Sequence, residues 1–200
     1  MNVLHVLDHS VPLFSGYSFR SRSIIHAERA LGLNPIVLTS PKHGSPADGV
    51  DAIEGIRYYR TASLAADALG VVPFARELGL MVRLARRIAA VARQEKIELI
   101  HSHSPLLNGL PSIWVARRLK IPLVYEARAF WEDAAVDHGT CKEGSFRYRM
   151  SRALETFLFK RADQSVTICE STVGSETSYE TSLITMPACS APSTSCSPFR

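Results

Sequence analysis

Apolar positions along the first 170 residues fall into two kinds of stretch. Residues 3–7, 35–39, 99–103, 122–125 and 162–168 are short apolar runs with little internal alternation, bounded by turn formers. Such runs predict strands buried on both faces. Between them, apolar residues recur at helical spacing. Over 18–31 they are Ile24, Ile25, Ala27, Ala30 and Leu31, with Ser18 as candidate N-cap and Gly32 as candidate C-cap. Over 74–93, Leu78, Val82, Ala85, Ala89 and Ala92 share one face, and Arg76, Arg83 and Arg87 the other. Helices are also predicted over 105–119, with Pro105 in the first turn, and over 146–161. Residues 50–53 and 56–60 flank Glu54-Gly55, which predicts a tight hairpin.

Strands without alternation, separated by helices, predict an α/β, doubly wound, Rossmann-like parallel sheet over residues 1–170. In such folds ligands bind at the carboxyl ends of the strands. Residues 8–16, 102–105 and 126–133 are therefore the ones to watch. Residues 171–200 change character, with eight Ser, five Thr, two of the four Cys and no basic residue before Arg200. This low-complexity stretch predicts a poorly ordered tail; a shifted reading frame or a genuine linker would each produce the change.

Composition narrows the function classes. At 46% hydrophobic and 21% charged, the 200 residues match a folded globular chain and not a disordered or collagenous one. The net charge of +4 is spread along the chain, which argues against nucleic acid as a partner. Arg83, Arg86 and Arg87 interrupt the longest apolar stretch, so no membrane-spanning helix is expected, and the N-terminus lacks a basic region before its apolar run. These features predict a cytoplasmic protein. Cys141, Cys169, Cys189 and Cys196 have neither Cys-x-x-Cys nor metal-ligand spacing, and neither a disulfide framework nor a zinc site is expected.

Candidate chemistry gathers after the strands. Gly16 is the lone glycine between the first strand and helix, too few for a Gly-x-Gly-x-x-Gly dinucleotide loop or a Walker loop. It leaves room for a phosphate to approach a helix N-terminus beside Tyr17, or it serves only the turn. His101 and His103 share one face of their strand; with no third ligand in sequence reach, His103 is read as a substrate contact or a packed core residue. Glu126, Arg128, Glu132 and Asp133 crowd the segment after the fourth of these strands, a density suited to a site or to local ion pairs.

These motifs carry a resemblance. Met1 to Ser10 with Ser15-Gly16-Tyr17-Ser18, then His101-Ser102-His103-Ser104-Pro105, then Tyr125-Glu126-Ala127-Arg128-Ala129-Phe130-Trp131-Glu132-Asp133, resemble the N-terminal half of a retaining glycosyltransferase of family 4. The subgroup it most resembles is associated with exosortase A and exopolysaccharide loci. The resemblance runs over residues 1–170. It implies one half of a GT-B enzyme, in which two Rossmann-like domains face each other across a cleft and this acceptor-side half lacks the donor domain. It implies a hexosyltransferase-type enzyme moving sugar from a nucleotide-sugar donor to a glycan or lipid-linked acceptor, without metal or other cofactor. Independently of the resemblance, the arginine face of Arg76, Arg83 and Arg87 is read either as a solvated face or as peripheral contact of a cytoplasmic protein with the inner face of the membrane. Relatives carry a histidine one turn past the strand that ends here near Tyr125; Arg128 takes that place. Arg128 and Glu126 are thus the expected catalytic pair, and Gly16, Tyr17, His103, Glu132 and Asp133 the expected substrate contacts. This half alone is expected to be inactive as a transferase. The rival expectation is a non-catalytic Rossmann-like module that binds a sugar or a nucleotide.

Overall fold

The computed structural model describes residues 1–63, 73–128, 145–167 and 183–185. Eight strands form one sheet: β1 (Asn2–Leu7), β2 (Asn34–Thr39), β3 (Gly49–Ile53), β4 (Ile56–Arg60), β5 (Leu99–His103), β6 (Leu123–Ala127), β7 (Gln164–Thr167) and β8 (Leu183–Thr185). Their order is β3-β4-β2-β1-β5-β6-β7-β8, parallel throughout except for the β3–β4 hairpin. Four α-helices of the described residues accompany them: α1 (Gly16–Ala30), α2 (Pro73–Gln94), α3 (Leu106–Leu119) and α4 (Phe146–Arg161). The doubly wound α/β architecture expected from the pattern of apolar runs is the one observed.

Strand alternation divides the core. Leu4, Val6, Ile36 and Leu38 pack with Leu84 and Ile88 of α2, Ile113 of α3 and Leu158 of α4. The intervening Leu7 and Val37 pack with Ile25 of α1, so α1 covers one face and α2, α3 and α4 the other. The hairpin turns where expected: Glu54 and Gly55 both have positive φ, 55° and 75°, as a two-residue type I′ turn requires. Gly109 marks a close approach, since a Cβ there would lie 2.5 Å from Leu158 Cδ1 and 2.9 Å from Tyr125 Cε2.

Three local expectations are corrected. The cap of α1 is Ser15, whose Oγ accepts the Ser18 N–H at 3.1 Å; the helix begins two residues before Ser18. On α2 the buried face is Leu84, Ala85, Ile88, Val91 and Ala92, while Leu78 and Val82 are 58% and 43% exposed. The apolar stripe is wider than one face, and packing against the sheet and α3 selects only part of it. Finally, the run 162–168, the last of the predicted strands, forms β7 but is not the edge of the sheet. Leu183–Thr185, within the stretch read as a tail, adds as β8 beside β7, consistent with the strand preference of an apolar Leu-Ile-Thr triplet. The rest of that tail lies outside the described residues.

Candidate active site at the switch point

The chain moves from β1 outward through α1 to β2, then crosses by α2 to β5 on the other side of β1. The loops after β1 and β5 therefore leave the sheet in opposite directions and open a crevice between them, the place where α/β sheets bind ligands. Gly16 opens α1 at the rim of this crevice. It is exposed, and no heavy atom lies within 4 Å of where its Cβ would stand. Leu13, Phe14 and Phe19 are exposed beside it, with the two Phe rings 5.9 Å apart. Arg60, 4% exposed, ties this loop to β4 by donating to Ser10 Oγ and to the Val11 carbonyl, both at 2.7 Å. Ser40 Oγ, after β2, donates to the Asp8 carbonyl at 3.1 Å.

Beneath the crevice lies a buried polar cluster. His5 on β1 and His101 and His103 on β5 all face α1, with exposures of 0%, 5% and 0%. Glu126, at the end of β6, is 1% exposed. Its Oε1 accepts from Arg20 Nε of α1 at 3.0 Å and from Arg128 Nε at 3.1 Å. Arg128 also donates from Nη1 to the Tyr17 carbonyl at 3.0 Å and to Ser21 Oγ at 2.9 Å, and from Nη2 to His103 Nδ1 at 2.7 Å. Its guanidinium lies 4.3 Å from the Tyr17 ring centroid. Four of its five N–H donors are thereby engaged within the protein. The Arg128 backbone N–H donates to Ser104 Oγ at 3.0 Å, which joins the ends of β5 and β6.

A carboxylate can only accept, so His5 Nε2 donates to Glu28 Oε2 at 2.7 Å. With His5 held neutral by burial, its Nδ1 accepts from His103 Nε2 at 3.1 Å. His103 Nδ1 meets two partners, Arg128 Nη2 at 2.7 Å and Glu126 Oε2 at 2.9 Å. Charges follow the same logic. Burial, the neighbouring His101 and Arg128 hold His103 well below 6.5, and burial likewise lowers His5. For His101, burial opposes protonation, but Glu126 at 3.3 Å and Glu28 at 3.9 Å outweigh it and raise its pKa. Burial disfavours the Glu28 carboxylate, yet His101 and His5 bring it down to about 2; His101, His103 and Arg128 hold Glu126 well below the usual carboxylate range against its own burial. Tyr17 is pushed up by burial and keeps its proton, and its hydroxyl accepts the Asp8 N–H at 3.1 Å.

Among the described residues, His5, His101 and His103 form the one group whose ligand atoms, all within 4.8 Å of one another, are close enough to hold a metal ion. Two of those nitrogens already face each other as a hydrogen-bonded pair. A metal would have to break that pair, so the donor set does not fit a resident ion.

Of the expected site residues, Glu126, Arg128, His103 and Tyr17 come together, and Gly16 adjoins them through Tyr17. Glu132 and Asp133 lie outside the described residues. His103 and Glu126 sit under α1 and not in open cleft, where Arg128, too, spends its donors on the protein. His5, Glu28, Arg20 and Ser21 belong to the cluster without having been singled out. A signal for them exists: His5 interrupts a buried apolar strand, and Ser21, Ile25 and Glu28 fall on one stripe of α1.

The fold recurs in solved structures. Two structures of a sucrose-phosphate synthase from Thermosynechococcus elongatus superpose with TM-scores of 0.63. They share 14% and 16% identity with this chain and cover 95% and 93% of it. The chain spans 90% of the first and 47% of the second. UGT89C1 of Arabidopsis thaliana, solved with UDP-L-rhamnose, superposes at 0.50 with 16% identity over 84% of this chain and 44% of its own. No curated protein sequence matches the chain. No helix among the described residues is long and apolar enough to cross a membrane. A family model described as a glycosyl transferase 4-like domain matches residues 15–175, from the Ser15 cap of α1 past β7, and the chain belongs to that family.

Proposed function

We propose that this domain is the acceptor-side half of a retaining GT-B glycosyltransferase in exopolysaccharide biosynthesis. The observation that carries the reading is the family match over residues 15–175, which takes in α1, β5 and β6, the elements that build the crevice. The sugar is transferred from a nucleotide-sugar donor, held by a second domain, to a glycan or lipid-linked acceptor at the inner membrane face. Exposed Phe14 and Phe19 offer ring faces to a sugar, and the N-terminus of α1 at Gly16 turns its positive end toward a leaving phosphate, with Ser15 already accepting the Ser18 N–H. Arg128 is too basic to act as a general base, and its partners make it a positioning residue. It fixes Tyr17 and the start of α1 against β5 and β6. Its charge and that of Arg20 are both paired with the Glu126 carboxylate, so the N-terminus of α1 is the group left to meet the negative charge that builds on a departing diphosphate.

The test is a binding and transfer panel with the 200-residue chain. Saturation-transfer NMR is run with oligosaccharides and alkyl glycosides and with UDP-, GDP- and dTDP-sugars, and any product's anomeric configuration is read by NMR. Carbohydrate binding in preference to nucleotide sugars, without turnover, is expected. Tight nucleotide-sugar binding with no carbohydrate binding would favour the nucleotide-binding module instead, and transfer with inversion would exclude the retaining reading.

A further inference from the structure

A second concave surface lies apart from the histidine cluster, on the α2 side of the sheet. Between the N-terminal half of α2 and the segment after β4 runs a groove of about 800 Å³, bordered by Asp48, Thr61, Leu78, Val82, Arg83 and Arg87. Arg86 also lines it, so three guanidiniums face one carboxylate. That carboxylate is already engaged: Asp48 Oδ1 accepts the Ala62 N–H at 2.7 Å and meets Arg83 Nη2 at 3.4 Å. Arg87 is braced over the Tyr59 ring at 5.7 Å.

The groove contains polar groups with nothing to bind. Thr61 is 0% exposed, and its hydroxyl has no hydrogen-bond partner. The Nε atoms of Arg83 and Arg87 are buried and equally unpartnered. Leaving such groups unsatisfied is costly, more so for charged ones. A hydroxyl and two guanidinium N–H groups around a positively charged pocket are the donors that a phosphate oxygen accepts. Alongside them Leu78 and Val82 are 58% and 43% exposed, an apolar strip on a face otherwise lined by arginines. Polar donors on the floor and apolar side chains at the lip describe an amphiphile with an anionic head. Since Thr61 directly follows β4, the groove lies at the carboxyl edge of the sheet, the same edge as the crevice.

We infer that this groove binds the phosphate of a lipid-phosphate acceptor, with the phosphate on Thr61, Arg83 and Arg87 and the alkyl chain along Leu78 and Val82. The inference rests on the reading of this domain as the acceptor half and names the class of acceptor. Its test reads binding and not transfer, so it can fail while the transferase reading stands, and the reverse.

The probe is mono-octyl phosphate below its micellar concentration, titrated into the 200-residue chain by calorimetry, with inorganic phosphate and octyl glucoside as separate arms. Octyl phosphate is expected to bind at least tenfold more tightly than either. Arg83→Gln and Arg87→Gln should each weaken it about tenfold, and Thr61→Val about threefold. Arg86→Gln, an exposed position whose change leaves the core untouched, should weaken it by a smaller factor with an unchanged thermal midpoint. Equal binding of inorganic phosphate would overturn the lipid assignment. Equal binding of octyl glucoside would overturn the phosphate assignment. Absence of octyl phosphate binding, or binding insensitive to all four substitutions, would overturn the site.

Discussion

Two glycines show how differently the same residue type is used. Gly109 is where α3 passes the Leu158 and Tyr125 side chains, and any Cβ there meets them at 2.5 and 2.9 Å. Gly109→Ala should therefore destabilise the chain by about 1–3 kcal/mol in urea unfolding, despite the better helix propensity of alanine. Gly16 has open space around it and an ordinary backbone, so neither packing nor a turn demands it. Gly16→Val should leave the melting temperature nearly unchanged, while the equivalent change in a complete family member should abolish transfer by blocking the approach of the phosphate; a large loss of stability would return Gly16 to a merely structural role. Ser15 is the residue that does cap the helix, and Ser15→Ala should cost about 1 kcal/mol. At this scale the sequence was partly legible. The crowding after β6 pointed to Glu126 and Arg128, and the two-residue spacing pointed to His103. It did not show that a helix roofs them, because burial of a polar side chain depends on which element lands on it.

The packing of α1 on β1, β5 and β6 rests on polar contacts as much as on apolar ones. Ile25 is the fully buried apolar side chain that α1 gives to the small core cluster beneath it, with Tyr17 packed at the margin, while Glu28, Ser21, Arg20 and Tyr17 dock on the histidines, Glu126 and Arg128. Removing one charge from such a cluster leaves its partners buried and unpaired. Glu126→Gln should cost about 3 kcal/mol, as read from the urea midpoint. The cluster also makes stability depend on pH with a definite sign. His5 and His103 are held below 6.5, so below that pH the unfolded chain takes up protons that the fold refuses, and stability falls. His43, lowered to about 4, chiefly by burial, acts in the same direction. His101 is raised; its contribution is complete below 6.5 and is lost as pH climbs through its folded value. Glu28, at about 2, adds stability above 4.5 that is lost as pH drops from there toward 2. Urea midpoints should peak near neutral pH and decline toward pH 5, by at most about 1.4 kcal/mol per pH unit for each refused proton. His103→Gln should flatten that acid limb. A wild-type profile flat from pH 5 to 7 would mean that the imidazoles titrate freely. Most elements were well marked in the sequence, since turns and apolar runs are local, but the cap of α1 fell at Ser15 and not Ser18, and β8 was not read. The face of α2 was not well marked either, since its apolar stripe extends beyond the part that packs, and Leu78 and Val82 were left for solvent or a ligand.

For the molecule as a whole, strand order decides where chemistry can occur. The parallel, doubly wound sheet was readable from runs without alternation, but strand order was not, because pairing between distant segments leaves no local mark. The order puts β1 beside β5, so the loops carrying Gly16 and Ser104 part over the histidine cluster. In the proposed function, this switch-point crevice is where an acceptor sugar binds. Backbone amide shifts are followed while oligosaccharides and alkyl glycosides are titrated into the 200-residue chain. Perturbations concentrated at Gly16, Tyr17, Phe19, Ser104 and Arg128 are expected. Perturbations confined to the opposite edge, around Asn2, Asn34 and Lys120, or none at any carbohydrate concentration reached, would contradict it.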